Sequence, residues 1–163
     1  MSDYRLGEES GILRLQSLAA LCELDRLLTA QARREILLLS ADLEPERFDR
    51  EDWLNVLSTV LREQQVQLLV LTCDDAPALH HRHGLLTLAR RLPSLIRAKQ
   101  ISAADFPAGE SQLMVDRIGL VRRKDGHVYA DMRSLATATQ CREQFVHLFE
   151  HARDIPELRS LAL

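Results

Sequence analysis

Cysteine is scarce in this chain. Cys22, Cys73 and Cys141 lie far apart, and none belongs to a CxxC pair. An odd, scattered set excludes a disulfide framework and predicts reduced, buried thiols in a cytoplasmic protein. Aromatic residues are equally sparse at 4%, too few for a platform on which single-stranded nucleic acid could stack. Neither charge sign dominates: 21 basic against 24 acidic residues leave a net charge of -3. No global field draws the chain to nucleic acid or to an anionic membrane, so neither is an expected partner, and any anion site has to be local. Long apolar runs are missing too. "ILLL" and "LLVL" are far too short to span a bilayer. The acidic start "MSDYRLGEESG" lacks a basic segment followed by an apolar one, which predicts no secretory signal. No glycine-rich phosphate loop and no GxSxG elbow occurs, which removes two common phosphate and acyl chemistries.

What the chain does contain is ordinary globular material. Its 163 residues, 46% hydrophobic, suffice for one domain with its own core. Residues 1–10 read as a loose leader and residues 11–163 as that single domain. From Gly11 to Arg34 the leucines recur at near-helical spacing, predicting one long helix. "REILLLSADL" carries a continuous apolar run bounded by charge, as expected of a strand buried on both faces. Asp49 and Asp52 open a second helix whose inward stripe is Trp53, Leu57, Val60, Leu61 and Gln64. "VQLLVLT" is a second buried strand. "DDAP" starts a third helix, ending near Pro93, and "LIRAKQIS" is a further strand. "ESQLMVDRIGLVRRKDGHVYADM" then reads as three strands, the last two joined by an Asp125-Gly126 hairpin turn. Thr137 and Gln140 form a T-x-x-Q capping box that opens a final helix, closed by Pro156.

Several polar groups stand out from this frame. His80 and His83, three apart in "HHRHG", would share a helix face and could meet one metal ion, although zinc needs at least a third protein ligand. No such ligand is apparent, so no metal and no cofactor is expected. His147 and His151 have the other helical spacing but are flanked by core residues. Arg117, Arg122 and the hairpin tip "RRKDG" could hold a phosphate. So could Arg133, at a junction between strand and helix.

The order of parts resembles one half of the phospholipase D superfamily over residues 12–155. The likeness rests on "AQARREILLLSADL", on "VQLLVLT", on "LMVDRIGLV", which is similar to the strand, Asp and strand of that family's HxKxxxxD segment, and on the closing "CREQFVHLFEHA". It implies an α/β fold, α-β-α-β-α-β-β-β-β-α, with a mixed sheet sandwiched between helices. If Asp116 matches the motif's Asp, the His position falls on Gly109 and the Lys position on Ser111. The family attacks with that imidazole and uses a second His, from another half, as general acid. Neither the nucleophile nor the cation is present here. The resemblance therefore implies a non-catalytic interaction, regulatory or anionic-ligand-binding module. A homodimer is expected, since lone halves of this family pair, with a protein or a phosphate-containing ligand as further partner. Ser111 with the arginines would form its binding site, and Asp116 would be kept to bond backbone amides. The alternative is a divergent phosphodiesterase or phosphotransferase working through His80, His83 or a metal.

Overall fold

The computed structural model describes residues 13–15, 17–131 and 135–159. The chain runs β1 (Leu13–Leu15), α1 (Leu18–Ala30), β2 (Glu35–Ser40), α2 (Pro45–Phe48), α3 (Glu51–Gln64) and β3 (Gln67–Cys73). After a 3-10 turn at Pro77–Leu79 come α4 (Gly84–Arg91), β4 (Ile96–Ile101), β5 (Glu110–Val115), β6 (Gly119–Lys124) and β7 (His127–Asp131). The remainder is α5 (Leu135–Glu150), β8 (Arg153–Asp154) and α6 (Pro156–Arg159).

One mixed sheet results, in the order β1-β7-β6-β5-β2-β3-β4-β8. Strands β2, β3 and β4 are parallel because a helix returns the chain between them, while β5, β6 and β7 form an antiparallel meander. From Ile36 to Ser40 every residue of β2 is buried, as its unbroken apolar run demands of a strand with helices on both sides. On one face Leu24, Leu28, Trp53, Leu57, Leu61 and Leu85, from α1, α3 and α4, pack on Ile36, Leu38, Leu68 and Val70. On the other, Cys141, Phe145 and Phe149 of α5 cover Leu37, Leu39, Leu71 and Met114. Burying each such side chain contributes about 1.5–3 kcal/mol.

Four boundaries differ from the sequence expectation. The first helix does not begin at Gly11: Leu13–Leu15 pair with β7, and Ser17 caps α1 by accepting from Ala20 N at 3.1 Å. The third helix is broken, because His83 takes an extended conformation and serves as the cap of α4. Thr137 and Gln140 lie inside α5 rather than opening it, since Leu135 and Ala136 are good helix formers and extend it upstream. Pro156 opens α6 instead of closing the preceding helix, a position where its missing N–H costs nothing. In α3, Gln64 is exposed rather than inward. The leader at 1–10 lies outside the described residues.

All three cysteines are free and buried. Burial pushes their thiols up, that of Cys73 to about 11 with help from Asp75, Asp74 and Asp42.

The two halves of the sheet are tied together at one end by Asp116. It sits in the turn between β5 and β6 with φ of 56°, a left-handed conformation that Asp tolerates better than most residues. Its Oδ1 accepts from Arg34 N at 2.7 Å and Glu35 N at 3.1 Å, and its Oδ2 from Arg33 N at 2.9 Å. These amides lie past the end of α1, where the chain has left the helical ladder, and the Asp116 carboxylate supplies their acceptor. Asp116→Ala is therefore expected to lower stability by about 1.5–3 kcal/mol, the range for hydrogen bonds to a charged group. Asp116→Asn, which keeps one acceptor oxygen and suits the left-handed backbone, should lose less. Urea denaturation checks both, and an Ala variant as stable as the parent would show the clamp to be idle.

Candidate functional site

The most unusual polar feature lies at the other end of β5, where that strand opens opposite the last residue of β2. Ser111 and Ser40 are ladder partners there. The loop leaving β2 passes through Leu43, fully buried at φ of 56°, a costly backbone for a bulky side chain. Asp42 Oδ1 accepts from Glu44 N at 3.1 Å. Together they turn the Glu44 carboxylate inward, and Pro45 then starts α2.

Arg47 of α2 is 1% exposed, and carboxylates surround its guanidinium. Nε donates to Asp25 Oδ2 at 2.9 Å and Nη2 to Asp25 Oδ1 at 2.7 Å, a bidentate pair with α1. Nη1 donates to Glu44 Oε2 at 2.9 Å and, more weakly, to Ser111 Oγ at 3.4 Å. Ser40 Oγ donates to Glu44 Oε1 at 3.0 Å. Arg123, the ladder partner of Ser111, completes the set with Nη1 3.1 Å from Glu44 Oε2. Two carboxylates thus face two guanidinium groups.

The electrostatics follow from burial and pairing. Burial pushes the Asp25 carboxyl up, against the pull of Arg47. Burial also raises Glu44, but Arg47 and Arg123 outweigh it and hold that carboxyl below its usual range. For Arg47, burial acts to lower the value, and the charges and hydrogen bonds of Asp25 and Glu44 more than reverse it. The guanidinium stays charged with its donors committed.

The residues singled out from sequence do not converge on this cluster. Ser111 belongs to it. Asp116 and Arg117 are at the opposite end of β5, and Arg117 Nε donates to Glu35 Oε1 at 2.8 Å. Arg122 pairs with Gln112 across the ladder, on the other sheet face from Ser111, and its Nη2 reaches Glu110 Oε1 at 3.0 Å. Arg133 lies outside the described residues. Gly109 precedes β5 with φ of 68°, a conformation that a histidine would adopt only under strain. Sequence reasoning missed Asp25, Glu44 and Arg47, and it set Arg123 in the phosphate-holding hairpin tip "RRKDG" rather than beside Glu44. The one available signal was a charged residue on the apolar stripe of a leucine-rich helix, namely Asp25 beside Leu24 and Leu28.

The expected histidine pair is also separated in role. His80 ends the 3-10 turn, largely exposed, with Nδ1 3.9 Å from Glu157 Oε1. His83 is buried, its Nδ1 accepting from Leu85 N at 3.1 Å while Nε2 lies 2.9 Å from Leu43 O. The accepting Nδ1 places the ring proton on Nε2. Both nitrogens are engaged, and the shared helix face predicted for the pair does not exist because 80–83 is not helical. Among the described residues no three His, Cys, Asp or Glu side chains are grouped to hold a metal ion. No helix among them is long and apolar enough to cross a membrane.

The sheet order and its two helical layers define a phospholipase D-like fold. Nuc from Salmonella typhimurium, a phospholipase D family member, is similar with a TM-score of 0.66 and 14% identity, over 90% of this chain and 98% of that one. NucT from Helicobacter pylori gives a TM-score of 0.62 at 7% identity, with 90% and 98% covered. TrmBL2, an archaeal chromatin protein with a novel mode of DNA binding, gives 0.66 at 11% identity over 90% of this chain and 55% of that one. The chain therefore spans about half of that protein. By family, the chain belongs to the domain of unknown function DUF7931, which matches residues 18–161. A search of the curated proteins finds no match.

Removing one member of the buried cluster should be far worse than removing all of it. Arg47→Met leaves Asp25 without its cation and Glu44 with Arg123 alone, and is expected to cost about 3–5 kcal/mol, whereas replacing a whole buried ionic set by apolar residues is often neutral. The triple variant Asp25→Leu/Glu44→Leu/Arg47→Met should accordingly be more stable than Arg47→Met alone in urea denaturation. The reverse order would show that the charges themselves hold the loop in place.

Proposed function

We propose that this chain is a non-catalytic phospholipase D-like domain, an interaction or regulatory module that binds an anionic ligand and pairs with a second copy of itself. One observation carries the reading. Where the motif would supply a nucleophile and a phosphate-binding cation, the chain has Gly109 at positive φ and Ser111, and of the cations beside Ser111, Arg47 is held by Asp25 and Glu44 and Arg123 is paired with Glu44. A guanidinium held by two carboxylates has little left to offer a phosphate oxygen, and catalysis by covalent attack needs a nucleophile within reach of its base. In this reading Asp116 is kept as a clamp on the backbone.

Self-pairing rests on the resemblance. Lone halves of this family combine into one unit, and the chain matches Nuc and NucT over 98% of their length. The DNA binding of TrmBL2 raises nucleic acid as a competing partner, which the net charge of -3 opposes here.

Incubation with bis(p-nitrophenyl) phosphate, with and without divalent metal, is expected to give no turnover above buffer. Turnover that His80→Ala abolishes would establish the rewired enzyme instead. Sedimentation velocity at micromolar concentration should show a dimer, and a single monomeric species would remove self-pairing from the reading.

A further inference from the structure

In the helical layer that holds α1, α3 and α4, the last two run side by side and leave a groove of about 510 Å³ between them. Its shape follows from small side chains. A Cβ on Gly84 would stand 2.5 Å from Leu54 Cδ1, so the two helices touch at that end. Beyond it Ser58 and Thr87, both short, line the groove and keep it open.

Its charge is one-sided. Arg62 and Arg91 both line it, and they occupy corresponding places near the ends of two helices that each return the chain to a parallel strand. Arg82 lines it near the start of α4. None of the three makes an ion pair among the described residues. The carboxylate lining the groove is Asp49, whose Oδ1 accepts from Gly84 N at 2.8 Å. A basic residue late in a helix also complements that helix's dipole, but this role requires no shared groove. Arg90, beside Arg91, instead donates to Glu157 O.

We propose that this groove binds a small phosphomonoester, its phosphate between Arg62 and Arg91 and its hydroxylated organic part lying toward Asp49 and Arg82. Two guanidinium groups match phosphate geometry through paired N–H donors. From Gly84 to Arg91 the helix rises about 10 Å, the length of a sugar phosphate with a small substituent. The volume is within the usual range of small-ligand pockets. A long polyanion fits less well, since the doubly cationic end is confined to one place and the chain as a whole is acidic. The inference deepens the anionic-ligand part of the proposed function, and its failure would leave the absence of turnover and the self-pairing to be judged by their own assays.

Isothermal titration of the full chain with adenosine 5′-monophosphate, ribose 5-phosphate, glycerol 3-phosphate, adenosine and inorganic phosphate tests it. At least one ester should bind one-to-one, and more tightly than inorganic phosphate or adenosine. Arg62→Ala/Arg91→Ala, at exposed helical positions where alanine is well tolerated, should weaken that ester at least tenfold. Ser58→Leu, which fills the groove and leaves every charge in place, should do the same. Circular dichroism checks that both variants are folded. If no ester binds at millimolar concentration, if inorganic phosphate binds as well as any ester, or if either folded variant binds like the parent, the proposal is overturned. Binding of an oligonucleotide without binding of any ester would also overturn it.

Discussion

A guanidinium removed from water must find its hydrogen bonds inside the protein, and Arg47 finds them in three separate segments. Asp25 comes from α1, Glu44 from the loop after β2, and Ser111 from β5. Leaving any of these charges buried and alone would cost several kcal/mol, so the segments have one relative placement. The effect continues through neighbouring rings. The Arg47 guanidinium lies 4.6 Å from the centre of the Phe48 ring, Phe48 meets Trp53 edge-on at 4.9 Å, and Trp53 Nε1 donates to Thr29 Oγ1 at 3.0 Å. Asp25 and Thr29 are four apart on α1. The buried polar face of that helix is therefore held at both points by side chains from α2 and α3.

Strand β5 carries a polar anchor at each end. At its start Ser111 joins the ionic cluster. Just beyond its finish Asp116 collects the amides that link α1 to β2. In between, Leu113, Met114 and Val115 are buried. Because successive side chains in a strand point to opposite faces, Ser111 and Arg123 meet the Arg47 cluster while Gln112 and Arg122 face the α5 side. This alternation separates the two neighbouring arginines of the hairpin into different environments. The extended length of β5 separates the first and last residues of the HxKxxxxD-like segment, Gly109 and Asp116.

Periodicity made much of the architecture legible. The apolar run of β2, the stripe Trp53, Leu57, Val60 and Leu61, the Asp125-Gly126 turn with φ of 52° and 80°, and the buried Phe145 and Phe149 all follow from residue spacing and turn chemistry. The short edge strands were not legible. Leu13–Leu15 and Arg153–Asp154 are held by pairing with β7 and β4, which depends on partners distant in sequence. Nor was the break at His83, because its cause is a carbonyl at Leu43, 40 residues away. The cluster around Arg47 escaped for the same reason. Arg47 in "PERF" reads as a surface arginine until the partner on another helix is placed beside it.

By itself the sequence determined the bodies of the long helices α1, α3 and α5, the central strands and the identities of Gly109 and Ser111, because these depend on local spacing and on which side chains exist. Tertiary structure decided which charges are buried together and which arginines share a groove. Burial and pairing arise only when remote segments pack, and no local pattern encodes the distance between Asp25 and Arg47 or between Arg62 and Arg91.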